Sequence, residues 1–524
     1  MRLRTIFPFL NRLLIAGLLF IVVVAAVATT LFVSQKAQVV GQSAAPRPNL
    51  TQRPNPIQRP NPIQQENQRP GTTAWEITPL ALAHYDPKTF RTPTIEGYAS
   101  TTSAQAGDTI KFSVSTNTAS FTADVYRLGW YGGSGGRLIH SVPRVQGHFY
   151  PMPAMDHHTG LIEASWPVAF TLTPDTTWTT GAYLVKLTAA NGLENYIPFI
   201  IRSARKSAFV FLHAANTDEA YNYWGGTSLY DDYTKTLTAH RAFEVSFDRP
   251  FEHIYGSGNL LLWEYPMIRW LEKNGYDIGY ISDVDIQTEP SILEGHQGIL
   301  IVGHSEYWSH EMRDHLEEAI SHGVNLAAFA ANSIFNQIRY EPSADKNATP
   351  NRIIVCYKNA AFDPLAGKDN SHVTVEFREP PLYRPEQSLL GGMVNVNSYC
   401  HWGCGFDWVV ADASNWVFAG TGLRNGDKIP GLVGYEYDQV YPGYPTPTGN
   451  QIISASPVID VNGKRVISNA TVYTAKSGAR VVNIATIDWS GGLDGYNKFW
   501  QSQRPLVNKY AQEITQNILQ NFLF

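Results

Sequence analysis

Between positions 298 and 309 the chain reads Gly298-Ile-Leu-Ile-Val-Gly-His304-Ser-Glu306-Tyr-Trp-Ser309, an aliphatic run that ends in a group of reactive side chains. His304 and Glu306 are two apart, so both can face one cleft if strand geometry persists to that point. Such a pair suits metal ligation or acid–base work. Ser305 offers a second chemistry, since Gly303-His-Ser-Glu-Tyr307 begins like a nucleophile elbow. Tyr307 occupies the place of the second glycine that the sharp turn requires, which counts against that reading. The absence of a cysteine here argues against a thiol of the amidotransferase kind. Upstream, Asn216-Thr-Asp-Glu-Ala-Tyr221-Asn-Tyr-Trp-Gly-Gly-Thr-Ser-Leu-Tyr230 is polar, aromatic and without helical period. A carboxylate with tyrosines suits a hard trivalent cation, because phenolate is an oxygen anion and the ion lowers the phenol pKa. From residue type alone, each of these tyrosines is more often a packing or hydrogen-bonding group than a ligand. Asn332, just beyond another apolar run, and Glu436 in Gly434-Tyr-Glu-Tyr437 are further candidates for the same cleft.

The surrounding pattern predicts what must hold these groups. Residues 299–302 form a continuous aliphatic run, as in a strand buried on both faces. Ser309 then reads as an N-cap, with Glu311 in the first turn, Met312, Leu316, Ala319 and Ile320 at helical spacing, and Gly323 as the stop. Apolar strands at 208–212, 276–281, 299–302 and 324–329 alternate with helices at 263–273 and from 309. That order predicts a doubly wound parallel sheet, amidotransferase-like in layout, whose ligands sit beyond the carboxyl ends of the strands. Residues 76–203 instead show short alternating strands between Gly-, Asn- and Asp-bearing turns, the pattern of a β-sandwich. The fold class expected is therefore α/β plus all-β. The α/β domain should span 204–524, with a β-rich insertion at about 340–480 and a return to the sheet at 480–485.

With 524 residues, a net charge of −5 and no basic run, the composition gives no reason to expect a nucleic-acid partner. Arg2, Arg4 and Arg12 precede an uncharged apolar stretch over 13–33, enough to cross a bilayer. Residues 1–34 are thus expected to be a transmembrane anchor with the remainder outside the cytoplasm, or a signal that is cleaved to leave a secreted protein. Residues 35–75 read as a Pro/Gln/Asn-rich spacer in which Gln-Arg-Pro-Asn-Pro-Ile occurs twice. Of three cysteines, Cys400 and Cys404 are close enough for a local disulfide or are two unrelated thiols, and no second pair supports a zinc site.

Several segments carry a resemblance in order along the chain: Tyr126-Arg-Leu-Gly-Trp-Tyr-Gly-Gly133, Ala220-Tyr-Asn-Tyr-Trp-Gly-Gly-Thr-Ser-Leu-Tyr230, Val245-Ser-Phe-Asp-Arg-Pro250, Trp263-Glu-Tyr-Pro266 and the His304 segment. From about residue 120 onward, they together resemble the C-terminal region of the large chain of N,N-dimethylformamidase. The resemblance implies a mononuclear ferric iron held by two tyrosines and one glutamate, which hydrolyses an unactivated amide. By it, Glu306 is the glutamate and Tyr221 one tyrosine; Tyr183 is the choice for the other, with Tyr196 close behind. His304, Asn332 and Glu436 then match substrate-facing or proton-shuttling positions. Dimethylformamidase is cytoplasmic and pairs its large chain with a small one, whereas this chain begins with an apolar stretch and a spacer, and no small partner is evident. A homo-oligomer is left open. The expected function is a membrane-tethered, metal-dependent hydrolase of a small-molecule C–N amide. The alternative is a non-catalytic surface protein that binds carbohydrate or polymer through its aromatics.

Overall fold

The computed structural model describes residues 61–394, 397–399, 405–496, 498–499 and 506–524. These described residues belong to one compact unit. Its first element, helix α1 (Pro62–Asn67), lies inside the segment expected to be extended spacer. The local chemistry explains this correction. Asn61 and Gln64 form a reciprocal capping box, Pro62 occupies the first turn, and Ile63 is buried among the aromatics beneath. Glu66 is buried too, accepting hydrogen bonds from Tyr131 Oη (2.8 Å) and Arg137 Nε (2.5 Å).

Eight strands follow in two sheets: β1 (Ile95–Ala99), β2 (Ser103–Ala104), β3 (Ile110–Thr116), β4 (Ser120–Leu128), β5 (Gly136–Gln146), β6 (Val168–Leu172), β7 (Gly181–Ala189) and β8 (Glu194–Ile201). One sheet has the order β1-β3-β6 and the other β2-β8-β7-β4-β5. Ile110, Phe112, Val125, Tyr183, Val185 and Phe199 fill the core between them.

The chain then builds a mixed α/β layer. Its strands are β9 (Phe209–His213), β10 (Ile278–Ser282), β11 (Gly298–Gly303), β12 (Asn325–Ala330), β13 (Gln451–Ile459), β14 (Arg465–Thr474) and β15 (Arg480–Asn483). They lie in the order β10-β9-β11-β12-β15-β14-β13. The first five pair in parallel and the last two antiparallel. Strands β13 and β14 fall within the range expected to be a separate insertion; by pairing on β15 they instead extend the main sheet. Leaving β9, the chain goes to β10 on one side and later to β11 on the other. The crevice between the carboxyl ends of β9 and β11 is therefore a topological switch point, where open α/β sheets bind ligands.

Sandwich and sheet are joined through buried polar groups. Arg127 on β4 forms a two-pronged ion pair with Glu272, 2.7 and 3.0 Å, with both side chains fully buried. Tyr280 Oη also donates to Glu272, at 2.8 Å, and Tyr265 Oη donates to the Gly135 carbonyl at 2.7 Å. The glycine-rich Trp130–Gly136 loop is thus a structural bend at this junction.

The apolar stretch over 13–33 and the Cys400/Cys404 pair lie outside the described residues. Among the described residues no helix is long and apolar enough to cross a membrane. Cys356 is a buried free thiol.

Candidate functional site

Strand β11 ends at Gly303, whose φ of +68° lies in the left-handed region. A Cβ there would come within 2.3 Å of Trp263 Cβ, so only glycine allows the chain to turn against that indole. The turn releases His304, Ser305 and Glu306 from strand geometry and aims His304 and Glu306 into the crevice. Ser305 points elsewhere: its Oγ accepts from Trp308 Nε1 at 3.0 Å, which removes it as a nucleophile facing the cleft. Ser309 caps the following helix, accepting from the Met312 N–H.

Across the crevice, helix α2 (Ala215–Ala220) leaves β9 and ends at Tyr221. The loop after it doubles back, with Leu229 N–H donating to the Ala220 carbonyl at 3.1 Å, and so lays Tyr230 against Tyr221. The two rings stack with centroids 4.2 Å apart. Arg249 clamps this loop from behind. Its fully buried guanidinium pairs with Glu219 and donates to the carbonyls of Asn222, Trp224 and Thr227.

The two phenols converge on one carboxylate. Tyr221 Oη donates to Glu306 Oε2 at 2.8 Å, and Tyr230 Oη lies 2.8 Å from both Glu306 oxygens. The phenol oxygens are 2.7 Å from one another. Asn336 Nδ2 donates to Glu306 Oε1 at 2.6 Å, which holds the carboxylate, and the Glu306 backbone N–H donates to Thr217 Oγ1 at 2.9 Å, which holds the main chain that carries it. His304 Nε2 stands 3.2 Å from Glu306 Oε2 and 3.1 Å from Glu436 Oε2. The second approach lacks hydrogen-bond angles, and Glu436 Oε2 has no hydrogen-bond partner. Asn332 Nδ2 is 3.3 Å from His304 Nε2, while its Oδ1 is likewise without a partner.

Burial dominates the electrostatics. It raises Tyr221 and Tyr230 well above the ordinary phenol range, and the Glu306 charge adds to the rise. Burial also pushes Glu436 up to about 7, helped by Glu306 and opposed by His304. Burial alone would lower His304, but Glu436 and then Glu306 raise it. Glu306 is held below its usual range, against desolvation, chiefly by its bond to His304. Lys358 Nζ sits 3.5 Å from the Tyr230 ring centroid. Burial lowers its pKa, and Glu306 works against that.

Thus Tyr221, His304, Glu306, Asn332 and Glu436 meet at one place, and Tyr183 does not join them. Tyr183 lies on β7 inside the sandwich core, where its Oη donates to the Thr179 carbonyl at 2.6 Å. Tyr196 is also placed elsewhere, donating to the Trp75 carbonyl and accepting from the Ile77 N–H. The phenol beside Tyr221 is Tyr230. Nothing in its spacing from Tyr221 marks it, because the loop fold rather than any periodicity brings the pair together. Asn336 and Lys358 carry no signal in the sequence either.

A cation fits this donor set on one observation. Glu306 and the two phenols place oxygens 2.7–2.8 Å apart, near the roughly 3 Å spacing of oxygens that share a small hard cation. Among the described residues, no three His, Cys, Asp or Glu side chains are grouped as a metal site, so a cation here depends on the tyrosines. The cleft in front of the cluster measures about 340 Å³, with Trp263, Tyr223 and Tyr435 among its walls.

Comparison with known proteins agrees in one respect. The family model described as N,N-dimethylformamidase beta subunit-like, C-terminal, matches residues 122–503. No curated protein matches the chain. Two solved structures share short stretches with it. An uncharacterized protein from Bacillus anthracis str. Ames is 13% identical over 20% of this chain and 79% of its own, with a TM-score of 0.14. A cycloisomaltooligosaccharide glucanotransferase from Paenibacillus sp. is 18% identical over 25% of this chain and 19% of its own, also at 0.14. Neither likeness is close enough to bear on the fold or the site.

Proposed function

The chain belongs to the N,N-dimethylformamidase beta subunit-like C-terminal family, and from that membership and the site geometry we propose that it is a metal-dependent hydrolase of C–N amide bonds. The observation that carries this reading is the convergence of Tyr221, Tyr230 and Glu306 oxygens beside His304 and Glu436 at the switch point of the sheet. These three residues would hold the metal, for which ferric iron is the proposed identity, since phenolates favour a hard trivalent ion. Bound there, such an ion would polarise a carbonyl and lower the pKa of water so that hydroxide is available as the nucleophile.

The remaining steps belong to the protein. Asn336 and Thr217 hold Glu306 in one orientation, so the donor set is organised before substrate arrives. Asn332, whose Nδ2 lies 3.3 Å from His304 Nε2, is the residue we assign to donate to the substrate carbonyl as negative charge develops on its oxygen. His304 Nε2 stands close to both Glu306 and Glu436, at 3.2 and 3.1 Å. It takes the proton lost by the attacking water and, with Glu436, returns one to the departing nitrogen, as an amide requires before its amine can leave. Trp263, Tyr223 and Tyr435 keep the cleft partly dry, which strengthens each of these interactions. The proposed setting is extracytoplasmic, with the chain tethered to the membrane through residues 13–33.

The test is an amide-substrate screen on protein reconstituted with ferric iron, with release of free amine measured. Hydrolysis that disappears in Glu306→Gln along with the metal supports the reading. Hydrolysis that persists in metal-free protein overturns it.

A further inference from the structure

The loop from His253 to Gly258 contributes to the wall of the cleft and is used by no step above. Its backbone is unusual: Ile254, Tyr255 and Gly256 are consecutive residues with φ of +45°, +60° and +86°. Left-handed backbone suits glycine, but a β-branched isoleucine there is a steric outlier. The surroundings hold it in place. The Glu252 N–H donates to Asn222 Oδ1 at 3.3 Å, which ties the start of the loop to the residue after Tyr221. Ser257 Oγ donates to the Ile254 carbonyl at 2.7 Å, and the Tyr255 ring meets Phe499 edge-on with centroids 5.3 Å apart. Gly256 lies against strand β8, where a Cβ would come within 2.4 Å of the Tyr196 carbonyl oxygen. Strained backbone fixed by its surroundings clusters at sites that must present a group in one position.

The side chain so presented is His253. It lines the cleft with His304 and Glu436, and of the described lining residues it alone is exposed. Its ring has no hydrogen-bond or charged partner among the described residues. The walls strip part of its hydration and lower its pKa, so the imidazole is neutral at physiological pH, with one nitrogen to donate and one to accept. An ionic ligand finds no free counter-charge nearby. Among the described residues no Lys or Arg lines the cleft, Asp218 is covered by Gly258 and bonded by Asn259, and Glu252 accepts from the Tyr223 N–H. We infer that His253 contacts the substrate and sets specificity, exchanging a hydrogen bond with an uncharged polar group, a hydroxyl or a second amide, on the substituent that the scissile amide carries. The cleft of about 340 Å³ has room for such a substituent. A purely alkyl substituent would strip water from the imidazole and return no bond, and a site built around a hydrogen bond discriminates against the analogue that lacks it. That the ligand is an amide rests on the proposed function; the hydrogen bond to His253 does not.

The test separates the two. Calorimetric titration of the full-length protein compares a short series of ω-hydroxy methyl ketones with alkyl methyl ketones of equal length, ligands that cannot be hydrolysed. At the best length the hydroxy ketone should bind about five-fold tighter, the worth of one net hydrogen bond. His253→Phe, a change at an exposed side chain, should remove that preference, and His253→Gln, which keeps a donor and an acceptor, should retain at least about two-fold of it. Equal affinity of the paired ketones, no measurable binding of either, or a preference that survives His253→Phe overturns the inference. In parallel, hydrolysis of the matching ω-hydroxy and alkyl amides is compared. Cleavage of both with no preference for the hydroxy amide overturns the contact while leaving the amidase standing. Selective binding of the hydroxy ketone with neither amide cleaved upholds the contact and overturns the amidase.

Discussion

A phenol that shares a buried carboxylate with another phenol keeps its proton far past its usual range, unless a cation takes the proton's place. Tyr221, Tyr230 and Glu306 are in that position. Tyr230→Phe should therefore reduce bound metal at least ten-fold, as measured by elemental analysis, because it removes one of three proposed ligands. Tyr183→Phe should leave metal content unchanged, since that phenol bonds to Thr179 inside the sandwich. A different outcome is expected for Asn332, whose φ of +51° a glycine adopts without strain. Asn332→Gly should keep the metal and lower kcat by about 10²-fold, the scale on which a lost oxyanion donor acts. Tyr221, His304, Glu306, Asn332 and Glu436 are legible in the sequence because each follows an apolar run or stands in a motif. Tyr230 is not, although it closes the tyrosine-rich segment, because stacking across a sequence separation of nine leaves no periodic trace.

At the scale of elements, the buried polar joints set how stability responds to pH. His213, at the end of β9, is raised to about 9. Desolvation opposes the rise, while Glu264 and, more weakly, Asp218 and Asp283 drive it. Asp218 and Asp283 are themselves raised, to about 7 and about 8, mainly by burial. The sign is the same for all three. A histidine raised in the folded state contributes stability that is complete below its unfolded value and lost as pH climbs through the folded one. A raised acid likewise binds more protons when folded, so ionisation at high pH destabilises it. The urea midpoint should fall as pH climbs from 7 to 9, and His213→Asn should flatten the decline. The Arg127–Glu272 pair makes a second prediction. Arg127→Met leaves Glu272 buried without its cation and should cost about 3–5 kcal/mol in a chemical-denaturation experiment. Much of the element pattern can be read in advance, because the aliphatic run before Gly303 and the Ser309 cap are local signals. The helix at Pro62–Asn67 has a local signal in its Asn61–Gln64 capping box and Pro62, but its docking does not, since it depends on Tyr131 and Arg137, which lie far along the chain.

For the molecule as a whole, the sequence indicates a strand-rich first part and a strand-and-helix second part, and the mixed α/β structure is consistent with both. Pairing partners are beyond its reach. Strands β13 and β14 look like inserted β material in isolation, and only long-range pairing shows that they extend the main sheet. The proposed tether makes a prediction at this scale. Full-length protein should sediment with membranes and resist carbonate extraction, and deletion of residues 1–34 should release it. Recovery of the intact chain in the soluble fraction would contradict the tether without touching the site. The most direct test of the central claim is metal content of the purified full-length protein, read together with its visible spectrum. The site predicts close to one iron per chain and a tyrosinate-to-iron absorption band that is lost in Tyr230→Phe and retained in Tyr183→Phe. Protein that takes up no iron after reconstitution, or whose band survives Tyr230→Phe unchanged, would contradict it.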